Sequence, residues 1–219
     1  MSLIHPLLVL GRAVPVAALL FTAASPVFAG PPLICHPFDI GTAASLPFGP
    51  ASLGWQALDP SYDKSRLVQD TIALLTPATP VIVRMETLRR ATAYAATDRA
   101  LAERLLATIR ARATKAAATP EEGLRLFDVG YLVETYRQIE DHSPTLAGVR
   151  STTDGYALVR RALELHPDSS AMQFAAALIT TTYRGDRGTP AHLAHLQKAR
   201  SGARADAMVA RNLATHFGE

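Results

Sequence analysis

Four side chains with metal-binding or nucleophilic chemistry fall into two short stretches of the sequence. Cys35 and His36 are adjacent in a proline-rich apolar segment, and Cys35 is the single cysteine among 219 residues. His192 and His195 are one turn apart in a helical pattern, so their rings share a helix face. Thiolate and imidazole groups are zinc and copper ligands. The sequence therefore leaves open a metal site that combines Cys35 and His36 with His192 and His195.

The established signatures of metal and thiol chemistry are incomplete in this chain. The histidine pair lacks the glutamate of the H-E-x-x-H zinc proteases, and the sequence has no C-x-x-C-H haem attachment motif. Nucleophilic catalysis by Cys35 would require a base and a lowered thiol pKa, and a histidine next in sequence is poorly placed to serve. We favour a small buried thiol in a packed segment. We therefore expect no catalytic residue, no metal and no cofactor.

The first 29 residues have the pattern of an export signal. Arg12 is their only charged side chain, and the apolar stretch 14–24 is shorter than the roughly 20 residues that span a bilayer as a helix. Val27 and Ala29 supply the small residues that signal peptidase prefers, so we expect cleavage after Ala29. The protein is thus predicted to be exported, to the periplasm or the extracellular space. No stable membrane span is expected after cleavage.

The composition of the remaining chain restricts its partners and its means of stabilisation. The whole chain has 22 lysines and arginines against 19 acidic residues, and this near balance does not predict a nucleic-acid-binding surface. One cysteine cannot form a disulfide within the chain, so helix packing must stabilise the fold. The unpaired thiol of an exported protein could instead link two copies as a disulfide-bonded dimer.

Residues 30–60 are rich in glycine, proline and large apolar side chains, and Asp39 and Asp59 are their only charges. Disordered linkers are usually polar and charged, because they cannot bury enough apolar surface to offset chain entropy. The composition therefore predicts an irregular N-terminal arm packed on the body, with Trp55 as its anchor. Residues 61–217 are predicted to form a single α-helical domain.

From Asp59 onward, apolar residues recur at helical spacing and no segment has the alternation of a strand. The pattern predicts an all-α fold of about eight helices, joined by short connections that favour antiparallel αα-hairpins. Helix starts are predicted at the capping residues Asp59, Thr79, Asp98, Thr119 and Asp168. On the second helix, oppositely charged residues at i,i+3 and i,i+4 spacing predict a solvated face: Arg84, Glu86, Arg89 and Arg90.

The stretch "GYALVRRALELHPDSSAMQFAAAL" resembles the junction between two tetratricopeptide repeats. The aligned positions are small at Gly155, Ala162 and Ala177, apolar at Val159, and a helix-ending proline at Pro167. The likeness extends over about residues 155–200. It implies a tetratricopeptide-like stack of αα-hairpins, whose relatives mostly bind peptides or assemble complexes, and it brings no catalytic residues. The combination of arm and helices also resembles exported bacterial proteins, from which no activity follows.

These features together predict an exported helical-repeat protein that binds a protein or peptide partner, or assembles complexes, in the cell envelope. The first alternative is a metal- or thiol-dependent activity of Cys35 and His36 with His192 and His195. The second is a structural subunit that dimerises through Cys35. The binding hypothesis predicts an exposed concave groove, and an array filled by the arm would argue against it.

Overall fold

The computed structural model describes residues 30–50, 56–113, 119–150, 152–181 and 187–218. In these residues the chain forms eight α-helices and no β-strand, which confirms the predicted all-α class. The helices are α1 (Leu67–Leu74), α2 (Val81–Ala95), α3 (Arg99–Ala113), α4 (Pro120–Ile139), α5 (Gly155–Leu165), α6 (Ser170–Ile179), α7 (Pro190–Ala203) and α8 (Ala207–Phe217). None of these described helices combines the length and the apolar character needed to cross a membrane. The signal segment and Trp55 lie outside the described residues.

Two of the five predicted capping residues are confirmed. Thr79 is not one of them, because α2 begins at Val81 after Pro80 without a side-chain cap. Asp98 and Thr119 accept hydrogen bonds from amides three residues on, as capping residues do. Asp59 does not cap a helix, because its carboxylate instead accepts from the amide and hydroxyl of Ser61 in a local turn. The first α-helix consequently begins later, at Leu67. At α6 the cap is Ser169 and not Asp168.

The even-numbered helices form an inner row in which each contacts the next, from α2 through α4 and α6 to α8. The odd-numbered helices α1, α3, α5 and α7 pack against this row. As a result α2 and α6 are almost fully enclosed, whereas in α8 only Val209, Asn212 and Leu213 are buried. In α2 only Val81 and Arg90 are not buried, and in α6 only Ser170 is not.

The segment 30–50, here called the docked arm, crosses the inner row. Its large apolar side chains Leu33, Ile34, Phe38 and Leu46 are at most 3% exposed. They belong to the same hydrophobic core as the helices. Burying each of these side chains stabilises the fold by about 1.5–3 kcal/mol. The docked arm thus contributes to the core while its backbone stays irregular.

Helices α4 and α5 cross at a pair of glycines. A Cβ atom on Gly155 would lie 2.4 Å from the carbonyl oxygen of Gly130, and one on Gly130 would lie 2.6 Å from the oxygen of Gly155. The backbones therefore approach more closely than any other residue would allow. Glu134 reinforces the crossing by accepting a hydrogen bond from the amide of Tyr156, in the first turn of α5.

Candidate functional site

Cys35 ends a tight turn at the start of the docked arm, where its amide donates to the carbonyl of Pro31 at 2.9 Å. Its side chain is half-buried. Burial raises the pKa of the thiol above its usual value, and the nearby Arg89 guanidinium only partly opposes this effect. Because the thiolate is the nucleophilic form, this environment does not activate Cys35 for catalysis.

The two histidines of α7 hold helices together. The Nε2 atom of His195 lies 2.8 Å from the hydroxyl of Tyr156, and its Nδ1 atom lies 2.6 Å from the side-chain oxygen of Gln173. An amide oxygen only accepts, so Nδ1 carries the ring proton and Nε2 accepts from the tyrosine. The Nδ1 atom of His192 lies 3.1 Å from the Thr180 hydroxyl. Both ring nitrogens of His195 are therefore engaged by protein groups from α5 and α6.

The structure does not gather Cys35, His36, His192 and His195 into a metal site. Across the ranges that the structure describes, no group of three or more His, Cys, Asp or Glu side chains could hold a metal ion. His36 instead lies beside His216 of α8, with ring centroids 6.2 Å apart. These side chains serve in packing instead: the His192 ring lies 6.4 Å from Phe217, which in turn meets Phe174 of α6 edge-on.

His216 belongs to an aromatic cluster that fixes the middle of the docked arm. Its ring stacks on Phe38 at a centroid distance of 4.8 Å, and Phe174 of α6 meets the His216 ring edge-on at 5.7 Å. The ring also forms a hydrogen bond with the backbone of Pro37. Burial, helped by the neighbouring His36, lowers the pKa of His216 to about 4. The imidazole is therefore neutral at pH 7 and packs as an aromatic ring.

This lowered pKa predicts a loss of stability in mild acid. The unfolded chain binds a proton at His216 below about pH 6.5, whereas the folded chain resists it until about pH 4. The contribution is complete above pH 6.5 and falls by about 3 kcal/mol between pH 6.5 and 4. Urea denaturation at stepwise pH should show this loss, and His216→Phe should remove this part of the pH dependence.

Several other groups contribute to the stability change in acid and remain in the His216→Phe variant, among them the neighbouring His36, whose pKa is lowered by burial and by Arg89. Burial lowers the pKa of His195 to about 4, which adds to the loss, and burial raises the pKa of Asp128 to about 6, which opposes it. The difference between the wild type and His216→Phe gives the contribution of His216 together with its interaction with His36. The matched control is His142→Gln, at an exposed position outside the cluster. If His216→Phe lost as much stability in acid as the wild type, the assignment of this loss to His216 would be contradicted.

The centre of the site is a buried carboxylate, Glu86 of α2. It accepts from Arg89 through both oxygens at 2.7 Å, from Arg90 Nε at 2.7 Å, and from the amide of Phe38 at 3.0 Å. Burial opposes its ionisation, yet the hydrogen bond and charge of Arg89 and the charge of Arg90 keep the pKa of Glu86 below its usual value. The carboxylate is therefore charged and fully hydrogen-bonded where the docked arm crosses α2.

The prediction that these charged residues form a solvated face of α2 is consequently wrong. Arg84, Glu86 and Arg89 are at most 2% exposed, and Arg90 is 22% exposed at its side chain. The ring of Phe48 covers the two arginines, with its centroid 4.8 Å from Arg89 and 5.6 Å from Arg90. Arg84 forms a separate buried pair with Asp128 of α4 at 2.7 Å. The spacing of the charges predicted the pairs of Glu86 with Arg89 and Arg90 but not the partner of Arg84. The docked arm, which is distant in sequence, removes the Glu86 pairs from water.

Helix side chains bind the backbone of the docked arm along its length. Arg89 donates to the carbonyl of Ile34 at 3.2 Å, Arg90 to that of Leu46 at 2.6 Å and Tyr94 to that of Pro47 at 2.8 Å. Gln138 accepts from the amide of Leu33 at 2.8 Å. Asn212 accepts from the amide of Asp39 and donates to its carbonyl, both at 2.9 Å. We call these side chains the arm-binding face: Glu86, Arg89, Arg90, Tyr94, Gln138 and Asn212.

Sequence reasoning did not identify Gln138 or Asn212 as functional residues. Both are fully buried although each carries an amide that needs hydrogen-bond partners. A polar residue on the apolar side of a helix is the signal that could have found them. The partner could not have been named, because it lies 105 residues away for Gln138 and 173 for Asn212.

A small pocket lies beside the Arg84–Asp128 pair and is also lined by Arg112 and Arg125. Its volume is about 40 Å³. Small-molecule sites usually measure about 300 Å³ or more. Arg112 donates to the carbonyl of Leu75 at 2.8 Å, which ties α3 to the end of α1. The pocket is therefore a gap between structural ion pairs and not a ligand site of this size class.

Comparisons of this chain with protein-family models, with curated proteins and with solved structures found no match. The functional assignment accordingly depends on the geometry of the arm-binding face.

Proposed function

We propose that this protein is a binding and assembly protein of the cell envelope that receives an extended polypeptide segment on its arm-binding face. In this proposal the docked arm occupies the face until a partner segment replaces it. The partner is a protein or peptide, the protein is exported, its helices are tetratricopeptide-like hairpins, and it performs no chemistry of its own.

One observation carries the proposal: the helices bind the docked arm through its backbone. Carbonyls of Ile34, Asp39 and Leu46 and amides of Leu33, Phe38 and Asp39 are bonded by helix side chains. Backbone groups are the same in every polypeptide, so these contacts hold the main chain of an extended segment but do not by themselves select its sequence. Apolar pockets between these contacts then provide selectivity, as in other modes of extended-peptide recognition.

The arm fills the face, so the open groove expected from the sequence is absent from the described part of the chain, and this argues against binding while the arm is docked. Binding therefore requires that the arm be displaced. While it remains connected, the arm competes at an effective concentration of the order of millimolar. A partner segment must therefore bind tightly enough to displace the arm at this effective concentration, or it must bind when the arm is released.

The two alternatives have less support from the geometry. A thiol-dependent activity would need an activated Cys35, and the raised pKa of its thiol opposes this. A dimer linked through Cys35 would need an accessible thiol, and Cys35 is half-buried in its turn.

Exchange of the arm tests the proposal. A protease site inserted between Pro50 and Gln56 allows the chain to be cut after folding, so that both parts remain present. A fluorescent peptide of residues 30–50 should then enter the cut protein, and fluorescence anisotropy should follow its entry. The uncut protein should bind the same peptide at least 10-fold more weakly, because its own arm competes.

The control for this exchange is a scrambled peptide of identical composition, which should not enter. A cut protein that never exchanges its arm would overturn the proposal. Unfolding of the helices as soon as the arm dissociates would also overturn it, because the arm would then be a permanent part of the core.

A further inference from the structure

The strongest contacts of the docked arm converge on two adjacent residues, Phe38 and Asp39. Asn212 binds both the amide and the carbonyl of Asp39 and is itself fully buried. A side chain that binds both groups of one residue fixes the position of the segment along the groove. Asp39 is therefore the point at which the register of a bound segment is set.

The side chain of Phe38, the residue before Asp39, lies in an aromatic pocket. Phe38 is 3% exposed, stacks on His216 at 4.8 Å and meets Phe174 edge-on at 6.1 Å. Glu86 accepts the hydrogen bond from the Phe38 amide, so the backbone at the pocket is held as well. Ring contacts of this kind favour an aromatic side chain over an aliphatic one of similar size.

The side chain of Asp39 forms an ion pair with Arg211. Arg211 precedes Asn212 on α8, and its Nε lies 2.6 Å from a carboxylate oxygen of Asp39. The other oxygen accepts from the amide of Gly41, whose φ of +58° is in the left-handed region. Two consecutive residues of α8 thus read the backbone and the charge of one bound residue.

From this arrangement we infer that α8 and the aromatic pocket form a subsite for an aromatic residue followed directly by aspartate, and that the partner is an extended segment carrying this pair. The inference deepens the proposed function and depends on it. The docked arm, with its own Phe38-Asp39 pair, is the resident copy of the partner's recognition element. Arg211 is 48% exposed at its side chain, so the charge contributes selectivity while the pocket contributes most of the affinity.

Competition between peptides in the cut protein tests the subsite. Unlabelled peptides of residues 30–50 would compete against the labelled wild-type peptide. Phe38→Ala should weaken competition at least 100-fold, because a large buried ring is lost. Asp39→Asn should weaken it about 2- to 5-fold, as expected for a partly exposed ion pair. The matched control, Thr42→Ala at an exposed position, should compete like the wild type.

A charge reversal makes the test independent of peptide solubility and folding. In a cut Arg211→Glu protein, the Asp39→Lys peptide should compete better than the wild-type peptide, reversing the order found with Arg211. Arg211 is exposed, so this variant keeps the core intact.

The outcomes separate the inference from the proposed function. Exchange of all peptides with equal strength would overturn the subsite and leave the binding function standing. Failure of every peptide to exchange would overturn both. Dimers formed by mutual arm exchange in the uncut protein, seen by size-exclusion chromatography, would identify a second copy as the occupant and overturn the inference of a separate partner.

Discussion

Glu86→Gln should lower the free energy of unfolding by about 3–5 kcal/mol, the usual effect of breaking a buried ion pair from one side. The variant leaves Arg89, which is 1% exposed, without its carboxylate partner, and it removes the partner of Arg90. The glutamine can still accept from the Phe38 amide through one oxygen but cannot accept from both guanidinium groups. Urea denaturation followed by circular dichroism measures the loss.

The matched control for this prediction is Glu103→Gln. Glu103 pairs with Arg99 at 2.9 Å, but both side chains are about half exposed. Exposed pairs of this kind contribute about 0.2–1 kcal/mol, so the control should change stability little. Equal losses in the two variants would show that the Glu86 network is not held away from water.

Gly155→Ala should destabilise the protein by about 3 kcal/mol or more, which is at the upper end for overpacked positions. The new Cβ would lie 2.4 Å from the backbone oxygen of Gly130 and 2.8 Å from Cγ of Glu134. A backbone oxygen cannot rotate aside, so α4 and α5 must separate along their contact. Thermal and urea denaturation would both detect the loss.

Gly148→Ala separates steric clash from backbone strain. A Cβ at Gly148 meets no atom within 4 Å, but its φ of +73° is in the left-handed region. Only the conformational cost of about 1–2 kcal/mol should appear there. A Gly155→Ala variant no less stable than Gly148→Ala would contradict the close crossing of α4 and α5.

The local features of this fold could be predicted from the sequence, because they depend on neighbouring residues. Helical periodicity identified the all-α class, and Thr119 identified the start of α4 through its own hydrogen bond. The prediction of a helix start at Asp59 was wrong because the same side chain can stabilise either a turn or a helix end. The choice between them depends on where the next apolar stripe can pack, which capping chemistry does not encode.

The candidate site could be predicted only in part. The apolar composition of residues 30–60 indicated packing, and the structure buries Leu33 and Phe38 in the core. The burial of Glu86 and Arg89 could not be inferred, since i,i+3 ion pairs have the same spacing on solvated and on buried faces. The contact that decides it joins Glu86 to Phe38, which is 48 residues away.

Hydrogen exchange of the uncut protein tests most directly whether the docked arm is a replaceable occupant of the arm-binding face. The amides of Leu33, Phe38 and Asp39 each donate to a helix side chain, so their protection reports on docking. We expect them to exchange together through one opening, at a free energy below that of the α4 amides. Exchange of these three amides only with global unfolding, at the same free energy as α4, would contradict this expectation.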